Sequence, residues 1–425
     1  MKLVDLTGDR GSIEAVQADN LARMRAAVLR SETCKAVREY ADALDPALLS
    51  DAPLMTREQL AEWGSNPQAP NRISTGAVRL ALRSSGSSGR VRTLLHERVF
   101  NEQVEAIGAR GICWDGLSDN PFVINALTPG DLFGGFGFVD ATLGRRGAAL
   151  LPTGSGMADA HIADLIADLG VEAIVATPSY LEHLYTTVPG AVAALRTVFY
   201  LGDRMSFTAA RDIADAGPAV RSFAYSTTET GPIGFQCGQL AGSDHHVHED
   251  VVIAEVVDEH GRPLPDGDEG ALVVTVLTET GAALVRYLVG DRATLLPPNG
   301  ICDCGSGARL LRICGRDATS ANIGGTLVTR EMFDVALAPL GVATDARYQV
   351  VTAGEAGSVT LLLTGPALAG ISPGTALDAL HGHQILRRVV SSARFAGLTV
   401  ETRRPPYTTS RGKVGFFVHI GDGHE

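Results

Sequence analysis

The amino-acid sequence predicts an α/β protein with a large layered first domain, a small β region and a small α+β module at the end of the chain. Three observations lead to this fold class. From residue 76 to about 235, short apolar runs alternate with amphipathic helical segments. From about 246 to 315, strand-like runs are separated by a turn rich in Gly, Pro and Asp, as in antiparallel sheets. After that point, helical and strand-like segments alternate again.

Residues 1 to about 70 are predicted to be helical. The segment IEAVQADNLARMRAAVLRSETCKAVREYADAL carries apolar residues at helical spacing and no breaker, which predicts helical structure. A turn and an extended segment follow. A short helix then opens at Thr56, with Glu58 nearby in its first turn.

The middle of the chain has the pattern of a parallel sheet. GAALLPTG and VEAIVATPS are short apolar runs typical of buried parallel strands, and MADAHIADLIADLG between them predicts a helix. AVAALRTVFYLGD and AVRSFAYST continue this alternation. The final module is predicted as a helix (TREMFDVALAPLG), a strand pair (ARYQVVTAGEAGSVTLLLTG), a helix (PGTALDALHGHQILRRVVSSA) and a strand (LTVETRR).

Composition excludes several classes of function. A hydrophobic content of 45% with 20% charged residues is ordinary for a soluble globular protein. The net charge of -12 argues against a nucleic-acid partner, because phosphate backbones need a basic surface. No apolar run approaches the roughly 20 residues of a membrane helix, and the first residues have no secretory pattern. Six cysteines are too few for a disulfide framework, so we expect a cytoplasmic protein.

The basic residues are uneven in type. The chain has three lysines, Lys2, Lys35 and Lys413, against 33 arginines. A compact ammonium can act at a crowded reacting centre where a guanidinium cannot. Lys413, in TTSRGKVGFF, therefore invites a specific role, although composition alone equally allows a chance surface lysine.

A Ser/Gly loop, RSSGSSGR, follows the strand-like run GAVRLALRS. Its composition is that of a flexible linker. A short loop of this kind can also turn its backbone N–H groups and hydroxyls toward a polyphosphate, although it lacks the spacing of a P-loop. Taken by itself, this stretch leaves both interpretations open.

Three further stretches favour the phosphate site. YSTTETG at 225–231 groups an aromatic ring, threonines and a glutamate, VRYLVGDR at 285–292 ends in Gly-Asp, and ICGRD at 313–317 begins the last module. With the Ser/Gly loop and the terminal Gly-Lys, they stand in the order of the adenylate-forming superfamily, which the chain resembles over nearly its whole length. LFGGFGF, ATPSYLEHLY, LTETGAALVRYLVGDRATLLP, CDCG and DAPLMTREQL resemble its phenylacetate-CoA ligase-like branch.

The resemblance implies an ATP-dependent, AMP-forming ligase that needs Mg²⁺ and makes an acyl-adenylate. It also implies an N-terminal adenylation domain, residues 1–314, and a small mobile C-terminal lid domain, residues 315–425, that carries Lys413. Negative charge builds at the attacked phosphate in this chemistry, so positioning and electrostatics dominate.

The same resemblance assigns roles to individual residues. Thr228 would touch the α-phosphate, Glu229 would hold Mg²⁺, and Lys413 would reach the attacked phosphate. The other nucleotide contacts would be Ser84, Ser85, Gly86, Ser87, Ser88 and Gly89 on the β- and γ-phosphates, Tyr225 with Gly202 and Asp203 at adenine, and Asp291 and Arg316 at the ribose. Phe136, Phe138 and Tyr180 would line the acyl pocket, where aromatic rings suit a flat aromatic acid. These three aromatics could equally be ordinary core residues.

The cysteines form a second constellation. Cys302 and Cys304 are one residue apart, and a Cys-x-Cys pair with a remote Cys and His can complete a tetrahedral zinc site. By resemblance to members of this branch, the four ligands would be Cys237, His246, Cys302 and Cys304. The alternative is that these are ordinary loop thiols beside a solvated His-rich turn.

The resemblance to the family is lost just after Arg316, where a hinge is expected between the two domains. Relatives carry acidic residues and an arginine where this chain has Ala318, Thr319 and Gly324. In relatives, the loop that contains these positions serves transfer of the acyl group to CoA. The sequence therefore leaves four acceptors open, namely CoA, a carrier-protein thiol, an amine and an inorganic nucleophile. A catalytically silent nucleotide- or metal-binding relative is the alternative from another class. Look-alikes are commonly homodimers, so a homodimer is a further expectation.

Overall fold

A computed structural model of the chain describes residues 2–4, 8–84, 92–130, 132, 134–203, 205, 207–297, 302–316, 320–323, 326–342, 348–353, 359–392, 395–402 and 416–420. These residues divide into two compact units, one up to Gly315 and one from Arg316 onward. In the described part of the chain, no helix is both long enough and apolar enough to cross a membrane.

The first unit begins with a helical layer. Its helices are α1 (Arg10–Arg30), α2 (Lys35–Arg38) and α3 (Arg57–Trp63). This region is helical as predicted, but the sequence did not indicate the interruption at Ser31, where the chain turns to extended backbone. The hydroxyls of Ser31 and Thr33 both donate to the Arg72 carbonyl, an alternative to the helical ladder. Thr56 caps α3 as predicted, and its capping box is completed by Gln59.

Arg286 ties this layer to the rest of the unit. Its backbone has a positive φ of 44°, and its side chain is buried. The guanidinium donates to the carbonyls of Ser50 at 2.8 Å, Ala52 at 2.9 Å and Gly261 at 2.7 Å, and pairs with Glu255 at 3.1 Å. One buried cation therefore joins three segments that are far apart in the sequence.

A hairpin and a helix follow this layer. They are β1 (Val78–Ser84), β2 (Arg92–Glu97) and α4 (Arg98–Gly111), and the two strands pair antiparallel. The Ser/Gly loop between the strands, residues 85–91, lies outside the described residues.

The alternating segments form a five-stranded parallel sheet, which confirms the predicted fold class. In chain order its elements are β3 (Phe122–Asn125), α5 (Gly135–Arg145), β4 (Ala149–Leu151), α6 (Asp159–Leu169), β5 (Ala173–Ala176), α7 (Pro178–Thr187), α8 (Pro189–Ala193), β6 (Thr197–Tyr200), α9 (Phe207–Asp215) and β7 (Ala219–Ser222). The central strands are buried on both faces, as their continuous apolar runs indicate.

A second sheet completes the first unit. It has seven strands in the order β11-β12-β13-β14-β10-β9-β8, and its described registers are antiparallel. The strands are β8 (Tyr225–Thr227), β9 (Gly231–Phe235), β10 (Asp244–Val247), β11 (Val252–Val257), β12 (Glu269–Val276), β13 (Tyr287–Leu295) and β14 (Leu310–Arg316). The change to antiparallel pairing agrees with the turn-rich pattern of this region.

The second unit has its own apolar core. It contains a hairpin, β15 (Ser320–Ile323) and β16 (Thr326–Thr329), then α10 (Arg330–Leu337), β17 (Gln349–Ala353), β18 (Val359–Thr364), α11 (Pro373–Gly382), α12 (Leu386–Val390), β19 (Phe395–Glu401) and β20 (Phe417–Ile420). The last four strands form one sheet in the order β19-β18-β17-β20. The predicted helices and strands are present, except that the helix predicted over PGTALDALHGHQILRRVVSSA is divided into α11 and α12. The first hairpin and β20 are additions.

Candidate functional site

The carboxyl edge of the parallel sheet offers a binding crevice. The sheet order is β4-β3-β5-β6-β7, so the chain leaves β3 in one direction and β5 in the other. Ligands of such sheets bind outside the carboxyl ends of the strands at this reversal. Helices α5 and α7 follow β3 and β5 and pack on opposite faces of the sheet. Their first turns therefore flank the crevice from its two sides.

Asn125 fixes the α5 side of the crevice. It is fully buried at the end of β3. Its amide group donates to the Phe136 carbonyl at 3.0 Å and to Asp140 at 2.8 Å, and its oxygen accepts from the Leu127 backbone at 3.2 Å. The end of the strand and the start of the helix are thus held in one geometry.

The three aromatic residues predicted for the acyl pocket lie on different faces of the sheet. Phe136 and Phe138 pack with the core of one face, where the rings of Phe138 and Phe223 lie 5.9 Å apart. Tyr180 is buried in the core of the other face. The structure does not bring the three side chains into one cluster, although Phe136 and Tyr180 belong to the helices on either side of the crevice.

Two of the predicted nucleotide contacts meet directly. The Tyr225 hydroxyl on β8 donates to Asp291 Oδ2 on β13 at 2.7 Å. Asp291 is 6% exposed, and the Tyr225 ring lies 5.7 Å from that of His245. The ring of Tyr225 and the carboxylate of Asp291 are 66 residues apart in the sequence and are neighbours in the fold.

The turn between β8 and β9 carries Thr228 and Glu229. It is closed by the Thr227 hydroxyl, which accepts from the Thr230 backbone at 3.2 Å. Gly231 ends the turn with φ +71°, and a side chain there would collide with Val104. From outside the turn, His96 Nε2 on β2 donates to the Thr228 carbonyl at 2.9 Å.

A buried ion pair and a cavity lie beside this turn. Arg72 and Glu97, both nearly inaccessible to solvent, pair at 3.0 Å, and the Ser74 hydroxyl donates to Glu97 at 2.6 Å. A cavity of about 30 Å³ is lined by these two charged residues together with His96 and Glu229. Burial is the main cause that lowers the pKa of His96 to about 4, so the imidazole is neutral near pH 7.

The remaining predicted nucleotide contacts are partly outside the described residues. Gly202 and Asp203 are exposed after β6, and Gly202 has φ +90°. The side chains of Ser84 and Arg316, at the ends of β1 and β14, are not described. Ser85, Gly86, Ser87, Ser88, Gly89 and Lys413 lie outside the described residues altogether.

The Cys/His constellation is brought together. The ligand atoms of Cys237, His246, Cys302 and Cys304 all lie within 4.8 Å of one another. The Cys237 and Cys302 sulfurs are 3.9 Å apart, and Cys304 Sγ is 3.4 Å from His246 Nε2. Two thiolates on a tetrahedral zinc ion, with bonds of about 2.3 Å, would lie about 3.8 Å apart. The donor set and the spacing therefore fit zinc better than a disulfide of about 2 Å.

The surroundings fix the tautomer of His246. Its Nδ1 lies 3.1 Å from the Ala308 carbonyl, which requires the proton on Nδ1 and leaves a lone pair on Nε2 toward the sulfurs. The Phe235 ring stacks on the imidazole at 5.1 Å. Burial lowers the pKa of His246 and raises that of the Cys237 thiol to about 12. Metal-binding histidines are commonly oriented by such a carbonyl.

Sequence reasoning missed His96, Asn125 and the Arg72–Glu97 pair. None of the three belongs to a motif with a recognisable spacing. The signal that could have pointed to three of these residues is position, since Asn125 ends strand β3 and His96 and Glu97 end strand β2.

Comparison with known sequences finds one matching family profile and several related proteins. A profile of AMP-binding enzymes matches residues 26–276. The phenylacetate-coenzyme A ligase of Thermus thermophilus is 31% identical over 243 residues, 55% of this chain and 53% of that protein. The phenylacetate-coenzyme A ligase of Escherichia coli is 28% identical, over 50% of each chain. This chain spans about half the length of the curated relatives it matches.

Solved structures share the fold. A 2-hydroxyisobutyryl-CoA ligase, crystallised with 2-HIB-AMP and CoA, matches with a TM-score of 0.75 at 19% identity, over 97% of this chain and 90% of that one. The amide bond synthetase McbA of Marinactinospora thermotolerans matches with a TM-score of 0.51 at 16% identity, over 80% of this chain and 68% of that one.

Proposed function

The chain belongs to the family of AMP-binding enzymes, as its motifs predicted, and from that premise we propose that it uses ATP to activate a carboxylic acid as an acyl-adenylate and then transfers the acyl group to an acceptor. The observation that carries the proposal is the contact between Tyr225 and Asp291. It joins two motifs, far apart in the sequence, that this chemistry needs at one nucleotide.

In this proposal the nucleotide is held mainly by the first unit. Tyr225 lies against adenine beside Gly202 and Asp203, and Asp291 accepts hydrogen bonds from the ribose hydroxyls in place of the one it now accepts from Tyr225. The Ser/Gly loop, residues 84–89, wraps the β- and γ-phosphates. Arg316 supports the ribose.

The turn between β8 and β9 would face the reacting phosphate. Thr228 contacts the α-phosphate, and Glu229 holds Mg²⁺, an ion that neutralises charge on the phosphate oxygens and prefers carboxylate ligands. Lys413 in the second unit supplies a further positive charge there. Its role rests on the sequence resemblance alone.

We propose an aromatic acid as the activated substrate. Phe136 and Tyr180, at the start of α5 and α7, would flank its ring in the crevice, with Phe138 supporting the first turn of α5 from below. The acceptor is proposed to be a thiol, an amine or an inorganic nucleophile. CoA would fit the relatives named above, and the departures at Ala318, Thr319 and Gly324 favour a carrier-protein thiol, an amine or an inorganic nucleophile.

The test is acid-dependent exchange of labelled pyrophosphate into ATP, with benzoic, arylacetic and short aliphatic acids. Exchange needs the first half-reaction only, so an unusual acceptor cannot hide it. We expect exchange with one aromatic class. We expect Lys413→Ala to lower it by about 100-fold or more, as for other lost contacts to developing charge. Lys35→Ala, at the exposed start of α2, is the matched control and should retain the parent rate.

Two results would contradict the proposal. Exchange with aliphatic acids alone would exclude the aromatic substrate and keep the activity. Folded protein that exchanges with no acid would favour the catalytically silent relative.

We also propose that Cys237, His246, Cys302 and Cys304 hold a structural zinc ion. The spacing of their ligand atoms supports this, and four protein ligands leave no open position for a substrate. Metal analysis of protein purified without added zinc should find about one equivalent per chain. Cys304→Ser should lose the metal, while Cys314→Ser, outside the cluster, should keep it. A metal-free parent chain would contradict the site.

A further inference from the structure

His96 is a buried polar residue that no motif explains. It is 6% exposed at the end of β2, beside Phe100, whose ring meets the imidazole edge to face at 5.1 Å. Among the described residues its Nε2 has one hydrogen-bond partner, the Thr228 carbonyl at 2.9 Å. A histidine kept out of solvent needs such a partner, and here the partner belongs to the turn that carries Glu229.

The other ring nitrogen faces a polar interior. His96 Nδ1 has no hydrogen-bond partner among the described residues, and the same is true of Asn71 Oδ1 and Arg72 Nε. All three residues line the cavity of about 30 Å³ beside the turn. That volume holds a water molecule, which can accept from Arg72 and donate to the two acceptors. A hydrogen bond from this water to Nδ1 would keep the ring proton of His96 on Nε2, which donates it to the Thr228 carbonyl.

The end of β2, which carries His96, is held by an ion pair and by hydrogen bonds. The next residue, Glu97, is fixed by Arg72 at 3.0 Å and by the Ser74 hydroxyl at 2.6 Å. The Ser74 hydroxyl in turn accepts from the Gly281 backbone at 3.0 Å. Two segments of the first unit, one with Arg72 and Ser74 and one with Gly281, therefore hold the end of β2, and His96 extends from it to the turn.

From these contacts we propose that His96 is a positioning residue for the Thr228–Glu229 turn, and that it sets the affinity of the protein for magnesium-bound ATP. The inference rests on the proposed function, because it takes Glu229 as the magnesium ligand. His96 itself touches neither metal nor phosphate. It acts through the Thr228 carbonyl, whose position fixes where the Glu229 carboxylate points.

The test compares variants at residue 96. Gln carries its amide nitrogen where His carries Nε2, so His96→Gln keeps the donor to Thr228. His96→Asn carries its amide nitrogen nearer the backbone and loses that donor. Phe100→Leu is the matched control, since it disturbs packing around the imidazole and leaves the hydrogen bond in place.

Two readouts are needed. One is the magnesium dependence of pyrophosphate exchange, with kcat and the KM for ATP measured separately. The other is calorimetric binding of ATP with and without magnesium, which needs no acid. We expect His96→Asn to weaken magnesium-dependent binding and exchange by about 10–100-fold, the loss typical of groups that orient metal ligands. His96→Gln should stay within about threefold of the parent protein.

Phe100→Leu distinguishes a loss of packing around the imidazole from a loss of the His96–Thr228 hydrogen bond. We expect it to lower the melting temperature without changing the magnesium dependence. The inference is overturned if folded His96→Asn binds magnesium and ATP like the parent, or if Phe100→Leu shifts the magnesium dependence as far as His96→Asn does. A parent protein that binds magnesium-ATP but shows no pyrophosphate exchange with any acid would contradict the proposed function and leave this inference in place. A parent protein without magnesium-dependent ATP binding would overturn both.

Discussion

The two units of the chain are stabilised in different ways. The first unit buries charged pairs inside its structure, among them Arg72–Glu97 and Arg286–Glu255. In the second unit, Asp334 is the buried charged residue among those described. It accepts from the Tyr348 hydroxyl at 2.8 Å and pairs at 3.3 Å with Arg330, whose side chain is partly exposed, so this pair is not buried on both sides. The rest of that core is almost entirely apolar.

The two kinds of core should respond differently to single substitutions. A buried ion pair is often no more stabilising than an apolar core, but losing one partner is very costly. An apolar core depends on the volume of its side chains instead. The first unit, with the nucleotide motifs and the Cys/His cluster, should therefore be sensitive to single charges and to pH. The second unit should be sensitive to cavities.

The largest effect is expected from Glu97→Ala. It leaves the Arg72 guanidinium buried without its carboxylate, so we expect the first unit to lose about 3–5 kcal/mol of stability. Hydrogen exchange resolved by peptide should show faster exchange up to Gly315 and unchanged exchange beyond it. Glu259→Ala removes a carboxylate that is 86% exposed and should cost under about 0.5 kcal/mol. Equal effects of the two variants would contradict the special sensitivity of the first unit to the loss of a buried charge.

Leu361→Ala is the counterpart in the second unit. Leu361 on β18 is fully buried in the apolar core, and its truncation should destabilise that unit by about 2–5 kcal/mol. The same peptide-resolved exchange should now accelerate from Arg316 onward. Val335→Ala, at a side chain 54% exposed, serves as the control and should have little effect. Protection lost mainly in the first unit would contradict independent cores.

Acid should weaken the first unit through His96. Burial lowers the pKa of His96 from 6.5 to about 4, so the folded chain keeps it neutral while the unfolded chain takes up a proton below pH 6.5. Its stabilising contribution is thus complete above pH 6.5 and is lost as the pH falls to about 4, on the order of 3 kcal/mol. Urea unfolding at pH 7.5, 5.5 and 4.5 measures this, and His96→Gln should flatten the slope. A parent slope unchanged by that variant would refute the assignment.

The smallest effect concerns a helix cap. Thr56→Ala removes the side chain that accepts from the Gln59 backbone at the start of α3, so we expect a loss of about 1 kcal/mol in the first unit. Thr56→Ser keeps the hydroxyl and should recover most of that stability in the same unfolding experiment. If serine and alanine were equally destabilising, the cap would not be the cause.

Much of the fold could be predicted because its signals are local. The apolar runs that became β5 and β6 and the cap at Thr56 depend on neighbouring residues. The break at Ser31 could not be predicted, because the acceptor for its hydroxyl is the carbonyl of Arg72, 41 residues away. Long-range partners decide such competitions between side chain and backbone.

The site was predictable to the extent that its residues belong to motifs. Tyr225, Asp291 and the Cys/His cluster were selected by residue type and order. Tyr225 and Asp291 share a hydrogen bond, and the four Cys/His ligand atoms lie within 4.8 Å of one another, while the roles of these residues stay predictions. His96 and Asn125 are single polar residues at strand ends. Their importance follows from what the tertiary fold puts next to them, which no spacing in the sequence encodes.

The guanidinium of Arg286 also has a consequence for the order of folding. Its hydrogen bonds to Ser50 and Ala52 close loops of 236 and 234 residues. The chain entropy lost in closing such loops is large, and the bonds form only when both ends are already structured. Docking of the N-terminal helical layer therefore belongs to the late steps of folding. Interactions formed after the transition state govern the unfolding rate. The hydrogen bonds of this one buried cation should therefore mainly slow unfolding and prolong the lifetime of the folded protein.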